Sequence, residues 1–161
     1  MELTIEPFSR ADLVALAEIW NEVVEDGMAF PQNEPLTDET AWEFFSRQDF
    51  VGVAKLDSAP VGLYILHRNN VGRCGHHANA SYAVRSGLRG KHIGEALVKH
   101  SLAKAKELGY RLLVFNAIVD GNLPAICLYE KLGFHRVGRV PGGFLLKTGV
   151  YQDTFIYYHT L

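Results

Sequence analysis

The sequence predicts a mixed α/β fold, a single sheet with helices packed on both of its faces. Three observations predict it. Apolar residues alternate with a period of two in some segments and recur at helical spacing in others. In the second half of the chain the two kinds of segment interleave, which predicts right-handed parallel crossovers. In the middle, three strand-like segments stand together, which predicts an antiparallel meander. The order is β-α-α-β-β-β-α-β-α-β-β. No internal repeat, low-complexity stretch or linker interrupts it, so residues 1–161 are read as a single domain.

Each element has its own signal. In "ELTIEPF", Leu3, Ile5 and Pro7 alternate with polar neighbours, as in a half-buried strand. Ser9 is placed to cap the next helix, in which Leu13, Leu16, Ala17, Trp20 and Val24 share one side until Gly27 ends it. "MAFPQNEP" carries two prolines and reads as a loop. Thr37 caps a second helix. Asp38 and Glu39 in its first turn suit the helix dipole, and Trp42 and Phe45 form its apolar side. "FVGVAKL" and "PVGLYILH" flank the short polar gap "DSA", a hairpin pattern, and "HHANASYAV" is a third strand after the turn "NNVGRCG". A long helix follows, with Ile93, Leu97, Leu102, Ala105 and Leu108 on its buried side and Gly109 at its end. "RLLVFNAIV" is a strand. "NLPAICLYEKLG" is a helix capped by Asn122, with Pro124 in its first turn and a buried stripe of Ala125, Leu128 and Leu132. "FHRVGRV" and "YQDTFIYYH" complete a strand pair across a Gly-rich loop.

Composition narrows the function. Sixteen basic and 18 acidic residues leave a net charge of −2, which argues against a general nucleic-acid binder but allows a local basic pocket. No apolar run reaches the roughly 20 residues that cross a bilayer, and the N-terminus lacks a secretory pattern. Cys74 and Cys127 have neither metal spacing nor disulfide density and read as free thiols. The expectation is a cytoplasmic protein without nucleic-acid or membrane partners and without a metal. His76 and His77 are poor joint ligands, because strand neighbours point to opposite faces.

Two stretches carry chemistry. In "LRGKHIGEALVKHSLAKAKELGY", glycines and basic residues stand where a strand gives way to a helix. The first amides of a helix lack intrahelical partners and sit at the positive end of its dipole. Arg89, Gly90, Lys91, His92, Ile93 and Gly94 are therefore read either as a plain strand-to-helix turn or as a seat for phosphate. No Lys-Ser or Lys-Thr follows, which excludes a P-loop, and the G-x-G-x-x-G spacing is absent. The second stretch is the helix from Asn122, where Tyr129 lies one turn beyond Ala125, as ordinary packing or as a functional hydroxyl.

Together, "V-x-x-x-x-R-G-K-H-I-G-x-A-L" from Val84 and "N-x-x-A-x-x-L-Y-E-K-L-G-F" from Asn122 resemble the GNAT superfamily of acyl-CoA-dependent N-acetyltransferases. The resemblance covers essentially the whole chain. Its opening region more loosely resembles phosphinothricin and amino-acid acetyltransferases. It implies a mostly antiparallel seven-stranded sheet that splits beside the strand ending at Val84. It implies acetyl-CoA as co-substrate and a small-molecule amine as acceptor, and a homodimer is allowed for. By resemblance the diphosphate lies on the amides from Arg89 to Glu95. The pantetheine arm runs beside Tyr82, Ala83 and Val84. Asn122 and Ala125 hold the arm and the helix start, and Tyr129 protonates the leaving thiolate.

The sequence departs from the pattern twice. His92 replaces its first glycine, where the side chain either crowds the diphosphate or donates to it. Asn79 stands where phosphinothricin-type members have a catalytic glutamate, so the amine proton leaves through a water held by Asn79 or passes to His77. Phe30, Phe144 and Tyr151 are read as acceptor walls or as surface packing. The alternatives to a small-molecule acetyltransferase are a non-catalytic acyl-CoA-binding module and a peptide or ribosomal-protein acetyltransferase.

Overall fold

A computed structural model describes residues 2–88 and 90–161. The elements follow the expected order: β1 (Leu3–Pro7), α1 (Leu13–Asp26), α2 (Asp38–Ser46), β2 (Phe50–Leu56), β3 (Ala59–Arg68), β4 (His77–Val84), α3 (Ile93–Glu107), β5 (Leu112–Val119), α4 (Leu123–Lys131), β6 (His135–Leu145) and β7 (Tyr151–Thr160). Ser9 introduces a short 3-10 turn rather than α1 itself. The Asp12 carboxylate reaches back to its N–H and hydroxyl, both at 3.1 Å. Thr37 caps α2 as expected, accepting from the Thr40 amide at 3.2 Å. Asp57 and Ser58 both have positive φ, the conformation of a primed hairpin turn between β2 and β3.

The seven strands form one sheet in the order β1-β2-β3-β4-β5-β7-β6. Only β4 and β5 pair in parallel. The second expected crossover also joins strands of like direction, β5 and β6, but β7 inserts between them and pairs antiparallel with both. β6 runs further than its sequence signal. It continues through Pro141, Gly142 and Gly143 to Leu145 with register shifts, so these residues are bulged strand rather than loop.

Strand alternation sorts the core into two layers. Val51, Val53, Leu63 and Ile65 face α1 and α2, where Leu16, Ile19, Trp20 and Phe45 are buried. Tyr64, Leu66, Ala78 and Leu113 face α3 and α4, against Ile93, Leu97 and Ile126. A side chain at Gly52 would bring its Cβ within 2.3 Å of the Tyr64 ring, so this glycine makes room for the aromatic. Trp42, expected on the buried side of α2, is partly exposed and lies under the Arg10 guanidinium at 4.3 Å.

Candidate active site

The β4–β5 ladder is short. Only His77↔Leu112 and Ala78↔Leu113 pair, and the strands then part. Arg85 donates to the Val61 carbonyl at 2.8 Å and Asn69 to that of His77 at 2.8 Å. Odd-numbered residues of β4 therefore bond to β3. By the alternation of an antiparallel ladder, the amides of Ala80, Tyr82 and Val84 point into the gap. An open strand edge inside a fold needs a partner. Asn79 supplies it at the apex, donating from Nδ2 to the Val114 carbonyl at 2.8 Å, where a continued ladder would offer a backbone amide. Beyond it, the amides of Asn69 and Asn116 pair reciprocally at 2.9 and 2.7 Å. Asn116 lies in the bulge between Phe115 and Ile118 that bends β5 away.

Asn79 is thus a bracket for the split. Asn79→Ala should orphan the Val114 carbonyl and cost roughly 1–3 kcal/mol, visible as a drop in thermal midpoint. An unchanged midpoint would show that the hydrogen bond carries no weight.

A cavity of about 1130 Å³ opens at this gap. On one side it is bordered by the turn before α3 and by the start of that helix. Gly90 has a φ of 81° and lines it with His92, Ile93, Gly94 and Glu95. Among the described residues the first intrahelical bond runs from Ala96 to His92, so the amides ahead of Ala96 make no helical bond there. The Glu95 carboxylate would oppose an anion there. Hydrogen bonds from Lys99, then Lys131, both at 2.9 Å, hold its pKa down at about 2 and balance its charge. Lys91 does not border the cavity, and Arg89 lies outside the described residues.

His92 has φ 59° and ψ 21°. It takes the left-handed conformation that suits the glycine it replaces, and its exposed ring lies 3.5 Å from Glu95. His92→Gly should relieve up to about 1 kcal/mol of backbone strain and raise the thermal midpoint by a few degrees without weakening coenzyme binding. A lowered midpoint would show that the ring contributes more than the strain costs.

Helix α4 forms the second wall. Asn122 borders the cavity, but its side chain does not cap the helix. Its backbone carbonyl accepts from Ile126 at 3.1 Å. Its backbone N–H donates to the Val119 carbonyl at 2.9 Å, and its side-chain amide makes no hydrogen bond among the described residues. The expected stripe of Ala125, Leu128 and Leu132 packs against the core but is only half-buried, with Ala125 and Leu128 also bordering the cavity, and Ile126 and Tyr129 are the buried pair. The Tyr129 ring packs on Phe115 with centroids 4.5 Å apart and on Phe134 at 5.5 Å. Its hydroxyl has no hydrogen-bond partner among the described residues, and burial pushes its pKa well above that of an ordinary tyrosine. Tyr82 is also raised by burial, and its hydroxyl is taken by Ser101 at 2.7 Å. Ala83 is buried in the α1 layer behind the gap.

On the α1/α2 side the cavity is bordered by Phe30, Phe44, Arg47, Gln48, His67, Asn79, Ser81 and Asn116. Phe30 is therefore a wall, stacked on Trp20 at 4.2 Å. Phe144 and Tyr151 do not border it. They lie in the β6–β7 hairpin, where Phe144 pairs with Gln152 and the exposed Tyr151 with Leu145. His77 does not border it either. Its ring meets that of His76 edge-on at 4.7 Å, so the two neighbours touch rather than point apart. His67, Arg47 and Asn116 were not singled out from the sequence. The register that sets His67 opposite Asn79 comes from strand pairing and has no local sequence signal.

Comparison with known proteins agrees with this geometry. Residues 15–134 match the profile described as Acetyltransferase (GNAT) family. The N-acetyltransferase aca1 of Schizosaccharomyces pombe is 29% identical over 91% of this chain and 79% of its own. The putative phosphinothricin acetyltransferase YwnH of Bacillus subtilis is 31% identical over 87% of this chain and 88% of its own. A GCN5-related N-acetyltransferase from Kribbella flavida superposes with a TM-score of 0.90 at 29% identity, covering 99% of this chain and 98% of that one. A split sheet, a helix start with free amides and a buried tyrosine at the gap thus coincide with sequence and fold likeness along nearly the whole length: the chain belongs to the GNAT acetyltransferase family.

Proposed function

We propose that the protein transfers the acetyl group of acetyl-CoA to the primary amine of a small molecule, an amino acid or a close analogue. The observation that carries this reading is one cavity bordered both by the free amides at the start of α3 and by a walled recess under α1 and α2. The amides of Ile93, Gly94 and Glu95 suit a diphosphate. That of Tyr82 takes the pantetheine arm as an added strand would be taken, and Asn122 steadies it. The Val84 N–H stabilises the oxyanion as the amine attacks the thioester carbonyl.

Tyr129 then donates its hydroxyl to the departing sulfur. A free thiol has a pKa of about 8.5, below that of this buried phenol. Complete transfer is therefore uphill, and the tyrosine acts chiefly as a hydrogen-bond donor while solvent supplies the final proton. Phe30 and Phe44 suit the body of a small acceptor, and the Arg47 guanidinium suits a carboxylate.

Release of free thiol from acetyl-CoA across a panel of amino acids, their analogues and short peptides tests the reading. Turnover on amino acids over peptides supports it. Coenzyme binding without turnover on any amine would instead make the protein an acyl-CoA-binding module.

A further inference from the structure

An amine that is protonated at neutral pH must lose a proton before it can attack, and the position where related enzymes hold a glutamate is Asn79. Its amide is committed to the Val114 carbonyl and it has no basic site. We infer that His67 is the catalytic base, taking the proton of the acceptor's ammonium on Nε2 directly or through one water. This assignment rests on the acetyltransferase reading of the same cavity.

Three observations carry it. His67 is the Cα partner of Asn79 across the β3–β4 ladder, so the two side chains leave the sheet on the same face, toward α1 and α2. Both border the acceptor half of the cavity. The tautomer is also set. His67 Nδ1 lies 2.9 Å from the Arg68 carbonyl oxygen, and a carbonyl only accepts. Nδ1 therefore carries the hydrogen, and in the neutral ring Nε2 keeps its lone pair. Among the described residues, the other imidazole bordering the cavity is His92, at the opposite end by α3.

Rival bases are less well placed. From α1, Glu22 is already bound to the Ser86 amide at 2.9 Å and lies near Arg85, and Asp26 stands exposed at the helix end. From α2 comes only the cation of Arg47. The neighbouring strands present the neutral amides Asn79 and Asn116, and Arg68 follows His67 on β3.

The step balances. The ammonium gives one proton to Nε2, and the freed lone pair forms the C–N bond. The C–S bond breaks, and its electron pair leaves on sulfur. The second proton of the attacking nitrogen passes through solvent to the thiolate, and the imidazolium returns its own proton to bulk water. The products are an acetamide, coenzyme A thiol and one released proton.

The test is kcat against pH from 5 to 10 for wild type, His67→Gln and His67→Ala, with two amines of different pKa and coenzyme binding measured by calorimetry as the check on folding. Wild type should lose activity on the acid side through one ionisation that does not move with the amine. Both variants should bind coenzyme normally, lose that limb and fall about 100-fold in kcat at pH 7, with added imidazole partly rescuing His67→Ala. A wild-type limb that follows the amine's own pKa overturns the assignment, and this outcome needs no variant. So does a variant with wild-type kcat and only a raised KM, which would make His67 a binding residue. Wild type that binds coenzyme but acetylates nothing overturns the acetyltransferase reading itself, and the assignment with it.

Discussion

Replacing Tyr129 with phenylalanine is expected to lower kcat about 100-fold, some 2.7 kcal/mol of barrier, with coenzyme affinity nearly unchanged. The substitution removes one oxygen and little else. The ring stays packed between Phe115 and Phe134, and no hydrogen bond among the described residues is lost, so the fold has no reason to respond. The lost interaction forms only as charge develops on the leaving sulfur. It therefore affects kcat rather than ground-state binding.

Burial also fixes the pH behaviour. It raises the phenol's pKa, so the hydroxyl keeps its proton throughout neutral and mildly alkaline conditions. No alkaline fall in kcat below about pH 10 should then trace to this group. Steady-state kinetics on the Phe variant decide the matter: wild-type kcat would remove Tyr129 from the chemistry and leave it as core.

The second large effect is expected at Val84, through its backbone. Val84→Pro removes one N–H, and that N–H points into the gap rather than to β3, so no ladder bond is broken. If this amide holds the oxyanion, kcat should fall about 100- to 1000-fold, as when one such donor is lost elsewhere. Val84→Ala, which keeps the N–H, should stay near wild type. Coenzyme binding separates this effect from misfolding. Equal kcat in the two variants would move the oxyanion hole to another donor, the Tyr82 amide being the next along the gap.

Much of this arrangement is legible in the chain. The sequence already showed the element order, because periods of two and of 3.6 are local properties. Gly27, Gly109 and Gly133 stop helices as read, each with positive φ. The helix start with Gly90 and Gly94 and the tyrosine of α4 were found by spacing, and both border the cavity. A periodic apolar stripe says that a face is covered, not by what. Ala125 and Leu128 pack against the core and also border the cavity. Phe144 and Tyr151, read as acceptor walls or as surface packing, lie on the β6–β7 hairpin away from the cavity.

By itself, then, the sequence determined the elements, their order and the two segments that border the cavity. Tertiary structure alone decided where Asn79 and His67 stand. Whether an asparagine bridges two parting strands or holds a water depends on where β5 leaves β4, and that depends on the bulge at Asn116, remote in the chain. Whether a strand-end histidine is a bystander or a base depends on which residue the hairpin register sets opposite it. Register and divergence arise from contacts between distant segments, which local periodicity does not encode.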